Sequence, residues 1–136
     1  MRPPGIYVSS FGKTSTSNDV IAGIDLAGKT IMITGATSGL GLESMRVLAG
    51  RGARILATGR TLEKAKAACA AIGPAATPLA LELESLESVR ACADAVGELG
   101  VPLDVLICNA GIMALPTLEK INGIEKQFAV NHLGHF

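Results

Sequence analysis

From Gly28 onward the chain alternates between short apolar runs and longer stretches whose apolar residues recur every three or four positions. The runs at 30–34, 54–58, 77–83 and 103–108 have the length and the Ile, Val, Leu and Thr content of strands. The stretches at about 40–49, 62–72 and 86–99 have the period of helices facing a core. Their ends are marked. Thr61 stands where an N-cap is needed for the second helix, and Gly73-Pro74 stops it. Ser85 caps the third, whose Leu86, Val89, Ala93, Val96 and Leu99 share a face before Gly100. Strand and helix in strict alternation predict βαβ units, right-handed crossovers and a parallel sheet covered on both sides.

The ends of the chain read differently. Residues 1–18 are rich in Pro, Gly, Ser and Thr and read as a surface arm, with a short helix expected over 19–22 capped by Ser17 or Asn18. The arm is set at 1–23 and a nucleotide-binding domain at 24–136. From Ile124 the pattern predicts another helix, with Ile124, Phe128 and Asn131 at i, i+4 and i+7. Asn131 then falls on the face packed against the sheet, where its amide needs partners.

Composition narrows the picture. The 136 residues suffice for one domain, and with 49% apolar but 3% aromatic residues the core must be aliphatic, as parallel sheets usually are. Twelve basic and twelve acidic side chains cancel, so no basic stripe points to nucleic acid. Three cysteines, Cys69, Cys92 and Cys108, without a CxxC pair fit reduced thiols better than a disulfide framework. The start Met1-Arg2-Pro3-Pro4-Gly5 lacks a following apolar signal region, and no apolar run approaches the ~20 residues of a bilayer span. The expectation is a cytoplasmic chain without a membrane partner.

The candidate chemistry lies between the first run and the first helix, in Thr34-Gly35-Ala36-Thr37-Ser38-Gly39-Leu40-Gly41. Glycines at 35, 39 and 41 allow a tight turn and bring bare amides close to a ligand. The helix start adds unpaired N–H donors and the positive end of a dipole, which suit a pyrophosphate. The spacing is GxxxGxG, in the strand–turn–helix setting of a dinucleotide site. The plainer reading is a tight connection that binds nothing. His132 and His135, three apart, lack a third ligand of suitable spacing and read as surface or packing residues, so no metal is expected. Glu82 and Glu84 alternate at a strand end and read as solvated or capping groups rather than an acid–base pair.

Three landmarks in order resemble the short-chain dehydrogenase/reductase family: the TGxxxGxG turn at 34–41, Asn109-Ala110-Gly111 directly after the fourth strand, and Asn131-His132-Leu133-Gly134-His135-Phe136. The last has the form common among retinol-dehydrogenase-like members. The resemblance covers about residues 24–136 and implies an α/β, Rossmann-type doubly wound parallel sheet, here reduced to about four strands in the order 3-2-1-4. It also implies that Gly35, Ser38, Gly39 and Leu40, with Thr37 and Gly41 of the same turn, line the pyrophosphate and ribose of a nicotinamide dinucleotide. Asn109, Ala110 and Gly111 pass by the adenine ribose. Glu82, where the family usually has Asp, and Leu83 lie near the adenine. Asn131 matches the asparagine of the catalytic group. NAD-preferring members end the second strand with an acid; here Arg60 stands there instead and offers a planar cation to a 2′-phosphate, which favours NADP over NAD.

The family's chemistry on a carbonyl or secondary alcohol uses a tyrosine, a lysine four residues later and a serine, because a phenol of pKa about 10 is a poor base unaided. The sequence holds no Tyr-xxx-Lys, and its one tyrosine, Tyr7, precedes the turn. The expectation is the N-terminal cofactor-binding half of an oxidoreductase, without turnover of its own. Asn131 is then more simply a structural amide. The rival is a non-catalytic NADP(H)-binding module that needs a partner. Val105-Leu106-Ile107 would form an apolar edge strand open to self-association.

Overall fold

The computed structural model describes residues 9–136, so Tyr7 and the first eight positions of the expected arm lie outside the described residues. Four strands, β1 (Thr30–Ile33), β2 (Arg54–Gly59), β3 (Ala76–Ala80) and β4 (Val105–Ile107), form one parallel sheet in the order β3-β2-β1-β4. Ile31 stands opposite Ile55 on one side and Val105 on the other. The sheet order and class are those the alternation and the family resemblance implied.

Side-chain alternation along β1 and β2 divides the core in two. Ile31, Ile33, Ile55 and Ala57 point to one face, covered by α2 (Gly39–Ala49) and α3 (Leu62–Ala70) through Met45 and Cys69. Met32 and Leu56 point to the other, where α4 (Leu86–Glu98) supplies Cys92 and the loop after β3 supplies Leu81 and Leu83. Helices on both faces make the sheet doubly wound. Both expected caps form: Thr61 Oγ1 accepts from the Lys64 amide at 3.3 Å and Ser85 Oγ from Ser88 at 3.2 Å. Pro78 sits in β3, which among the described residues pairs only with β2 and so loses no ladder bond through its missing N–H.

Three expectations are corrected. The N-terminal helix α1 spans Ser17–Ile21, and its cap is Thr16, in a reciprocal capping box with Asp19. Ser17 instead lies inside α1 and donates to Glu43 on α2, while Arg46 reaches Asn18, so this part of the arm is docked. The third strand ends at Ala80; Leu81 donates to the Gly59 carbonyl at 2.8 Å, and the chain then turns so that Leu81 and Leu83 both enter the core. The segment from Ile124 does not begin as a helix. Asn122 and Gly123, both at positive φ, close a two-residue hairpin between β5 (Lys120–Ile121) and β6 (Ile124–Glu125). The helix starts only at α5 (Lys126–Phe128), where the Glu125 carboxylate accepts from the amides of Gln127 and Phe128. It widens at once into a π-helical turn over Ala129–Leu133.

Candidate functional site

The carboxyl ends of β1 and β2 open into a cleft of about 920 Å³. Its floor is the glycine turn, whose shape depends on two glycines. A Cβ on Gly41 would strike the Gly35 carbonyl oxygen and come within 2.6 Å of Asn109 Nδ2, while a Cβ on Gly35 would lie 2.9 Å from the Ala110 Cα. The turn and the Asn109–Gly111 segment are thus packed backbone to backbone.

Thr34 holds that contact. Its Oγ1 accepts from the amides of Asn109 and Ala110, each at 2.9 Å. The Asn109 side chain answers by donating to the carbonyls of Thr34 and Gly35 at 2.9 and 3.2 Å. From the β2 side, Thr58 Oγ1 accepts from the Gly35 amide at 3.3 Å and its carbonyl from Ala36 at 2.9 Å. Among the described residues no buried side-chain nitrogen or oxygen lacks a partner.

Above the turn the reverse holds. Leu42 is the first residue of α2 whose amide finds a backbone acceptor, the Ser38 carbonyl at 3.2 Å, and the amides of Ser38, Gly39, Leu40 and Gly41 have no partner among the described residues. Ser38 is the N-cap but makes no side-chain capping bond. Gly39 adopts φ +53° and faces open space, with no atom within 4 Å of where a Cβ would stand. Four free amides at a helix start, over an open glycine, form a receptacle for an anion. A pyrophosphate therefore fits the donors present.

The sequence-derived site residues converge here: Gly35, Thr37, Ser38, Leu40, Gly41, Arg60, Glu82, Leu83, Asn109, Ala110 and Gly111 all line the cleft, and Gly39 lies in its turn. The pattern missed others. Lys64, one turn into α3, lines the same rim as Arg60, and neither makes an ion pair among the described residues. The signal was a lysine four residues beyond Arg60, on the helix Thr61 caps. Ala67, Ala68 and Ala71 of α3 extend the wall.

Asn131 stands apart from that set. Its Oδ1 accepts from the Ile112 amide at 2.8 Å and its Nδ2 donates to the Ile112 carbonyl at 2.7 Å, so the side chain is exposed rather than against the sheet and is satisfied in both directions. Lys126 anchors the same segment by pairing with Glu119 at 3.0 Å and Glu84 at 3.2 Å; these carboxylates, Glu119 first, raise its pKa. Glu84 therefore serves as a tie rather than as half of an acid pair with Glu82. Cys69 and Cys92 are buried, which pushes both thiols up, and Cys108 is exposed. His132 stacks on Phe128 with ring centroids 5.0 Å apart. Among the described residues there is no cluster of three His, Cys, Asp or Glu able to hold a metal, and no helix long and apolar enough to cross a membrane.

The family model for short chain dehydrogenases matches residues 29–136. Short-chain dehydrogenase TIC 32 A, chloroplastic, of Brassica napus is 44% identical over 133 residues, which are 94% of this chain and 42% of that protein. The chain thus spans well under half the length of that relative. Among solved structures, 3-ketoacyl-(acyl-carrier-protein) reductase from Brucella melitensis, complexed with NADH, superposes with a TM-score of 0.69 at 29% identity, over 82% of this chain and 47% of that one. A metagenomic short-chain oxidoreductase in complex with NADP gives a TM-score of 0.59 at 34% identity, over 64% of this chain and 41% of that one.

Proposed function

Because the chain belongs to the short-chain dehydrogenase family, we propose that it is the cofactor-binding part of an NADP-dependent oxidoreductase acting on a carbonyl or secondary alcohol. The observation that carries this reading is the set of unpartnered amides at 38–41, with Arg60 and Lys64 on the rim of the same cleft.

When bound, the cofactor supplies or accepts the hydride. The chain's own residues bind and orient it. Gly35, Thr37, Ser38, Gly39, Leu40 and Gly41 take the pyrophosphate and adjoining ribose. Arg60, joined by Lys64, neutralises the 2′-phosphate. Glu82 and Leu83 border the adenine, and Asn109, Ala110 and Gly111 close the ribose side. Asn131 acts as a strut that holds Ile112 in place. In this proposal residues 1–23 are the arm and 24–136 the partial domain.

The sequence has no Tyr-xxx-Lys to set a proton at the reacting oxygen, so the chain alone has no turnover. The NHLGHF form makes a retinol-dehydrogenase-like parent enzyme part of the proposal; so is a cytoplasmic location, with which the free thiols are consistent. A second reading is a non-catalytic NADP(H)-binding module completed by a partner or a second copy. It draws on Val105 and Leu106, exposed by 43% and 49% on an edge strand.

Titration calorimetry with NADPH and NADH tests the first reading. It expects NADPH to bind more tightly, and Arg60→Ala to reduce that preference about tenfold or more, the loss of one charge-assisted contact of roughly 1.5–3 kcal/mol. Equal affinity for the two cofactors, unchanged by Arg60→Ala, rejects the NADP assignment. Binding of neither rejects the cofactor reading.

A further inference from the structure

His135 touches the underside of the glycine turn from a distance of 101 residues in sequence, and its bonds leave one protonation state that satisfies every atom. Its Nε2 lies 2.8 Å from Thr34 Oγ1, and its Nδ1 lies 3.1 Å from the Asn131 carbonyl oxygen. A carbonyl only accepts, so Nδ1 must carry a proton. Thr34 Oγ1 already accepts from the amides of Asn109 and Ala110, which fills both of its lone pairs. Its own proton must go elsewhere. The Ile107 carbonyl is 3.5 Å away, at the outer limit for an O–H donor, and His135 Nε2 is much nearer. The hydroxyl therefore donates to Nε2, and Nε2 must be bare.

We propose that His135 is a positioning residue for the cofactor site: as the neutral Nδ1–H tautomer it fixes the Thr34 hydroxyl so that both lone pairs face the Asn109–Ala110 amides. Protonation puts an N–H on Nε2 opposite an oxygen that has no acceptor site left. The contact then breaks, and the Asn109–Gly111 segment loosens against Gly35. The cavity wall that His135 faces holds no Lys, Arg, Asp or Glu. The cavity His135 lines is walled by Met32 and Thr34 of β1, Leu83 of the β3–α4 loop, Val89 and Cys92 of α4 and Leu106 of β4. The Cys92 thiol is the one other titratable group in that wall, and burial keeps it protonated. The inference deepens the cofactor reading above, because its binding consequence runs through the Thr34–Asn109 contact.

The first test needs no cofactor. In a free histidine the neutral ring favours the Nε2–H tautomer, so ¹⁵N NMR of the imidazole distinguishes the two states. The expected result at neutral pH is a protonated Nδ1, held by the Asn131 carbonyl, and an unprotonated Nε2 on His135. A protonated Nε2 in the wild-type chain overturns the inference.

The second test is NADPH affinity against pH in wild type, His135→Gln and His135→Leu. Gln keeps an acceptor for Thr34 and does not titrate. It should match the wild type at neutral pH and bind severalfold more tightly than wild type at acid pH once the wild-type imidazole is protonated. Leu should bind severalfold more weakly than Gln throughout. The 2′-phosphate titrates equally in all three, so differences between proteins isolate the histidine. Indistinguishable Gln and Leu variants overturn the positioning role. If no variant binds NADPH, the cofactor reading fails while the tautomer result still decides this one.

Discussion

The inner strands β1 and β2 and the outer strand β4 all carry large aliphatic residues, yet these meet water very differently. Ile33 and Ile55 are fully buried, whereas Val105 and Leu106 are exposed by 43% and 49%. The sequence pattern of each run is equally apolar. What differs is company: β1 and β2 each have a strand on both sides, while β4 pairs only with β1 among the described residues. Burial is a property of the neighbours, and the half of the sheet that carries the glycine turn has all of its neighbours within this chain.

The sharpest way to break that comparison is a matched pair of truncations. Ile33→Ala, in the closed region, should cost about 2–5 kcal/mol of unfolding free energy. Leu106→Ala should cost less than about 1 kcal/mol, because much of its surface is already wet. Urea midpoints measure both, and equal losses would show that the two regions are not distinct.

Next in size is the turn itself. Gly41→Ala drives a methyl into the Gly35 carbonyl and Asn109, and should reduce NADPH affinity by more than about tenfold, the scale of one lost backbone contact set. Gly97→Ala on α4, where a Cβ meets nothing, should leave affinity intact and add up to about 1 kcal/mol of stability, the helix preference for Ala over Gly. On the other side of the comparison, Val105→Lys should suppress any concentration-dependent self-association in sedimentation velocity without weakening the cofactor site. A self-associating lysine variant would move the sticky surface elsewhere.

The smallest effect concerns how the arm is held to the closed half. Glu43 accepts from Arg46 and from Ser17 of α1, and the Arg46 guanidinium foremost, then Ser17, hold its pKa at about 2 against an ordinary 4.5. The folded value is the lower one. Its stabilisation is therefore complete above 4.5 and is lost as pH falls toward 2. The Tm gap between wild type and Glu43→Gln should shrink over that window, and by little, because the pair is solvent-exposed. A gap that stays constant to pH 2 would dissociate Glu43 from the tie.

The parts of the fold legible in sequence were those set by local periodicity and punctuation. Thr61 and Ser85 cap where they stand, alternation implied the parallel sheet, and the family resemblance implied its order. The turn at 34–41 was legible as a candidate anion site because glycine spacing and helix start are adjacent in the chain. The hairpin at Asn122-Gly123 was also legible, since Asn-Gly is a strong two-residue turn signal, but the i, i+4, i+7 pattern beginning at Ile124 masked it. Thr16 lost the cap position to Ser17 and Asn18 in the reading because both are good capping residues, and only the reciprocal bond to Asp19 distinguishes it. Lys64, Thr58 and His135 were invisible for a different reason. Their roles arise from contacts between elements, and no short motif encodes a histidine that meets Thr34 across 101 positions.

The central claim is that this chain alone completes the adenosine and phosphate end of a dinucleotide site. The most direct test is calorimetric titration with adenosine 2′,5′-bisphosphate, which carries that end and lacks the nicotinamide, in competition with NADPH. The account predicts one site, displaced by NADPH and bound within about tenfold of it, a difference of roughly 1.4 kcal/mol. NADPH binding that the bisphosphate does not compete for would contradict it.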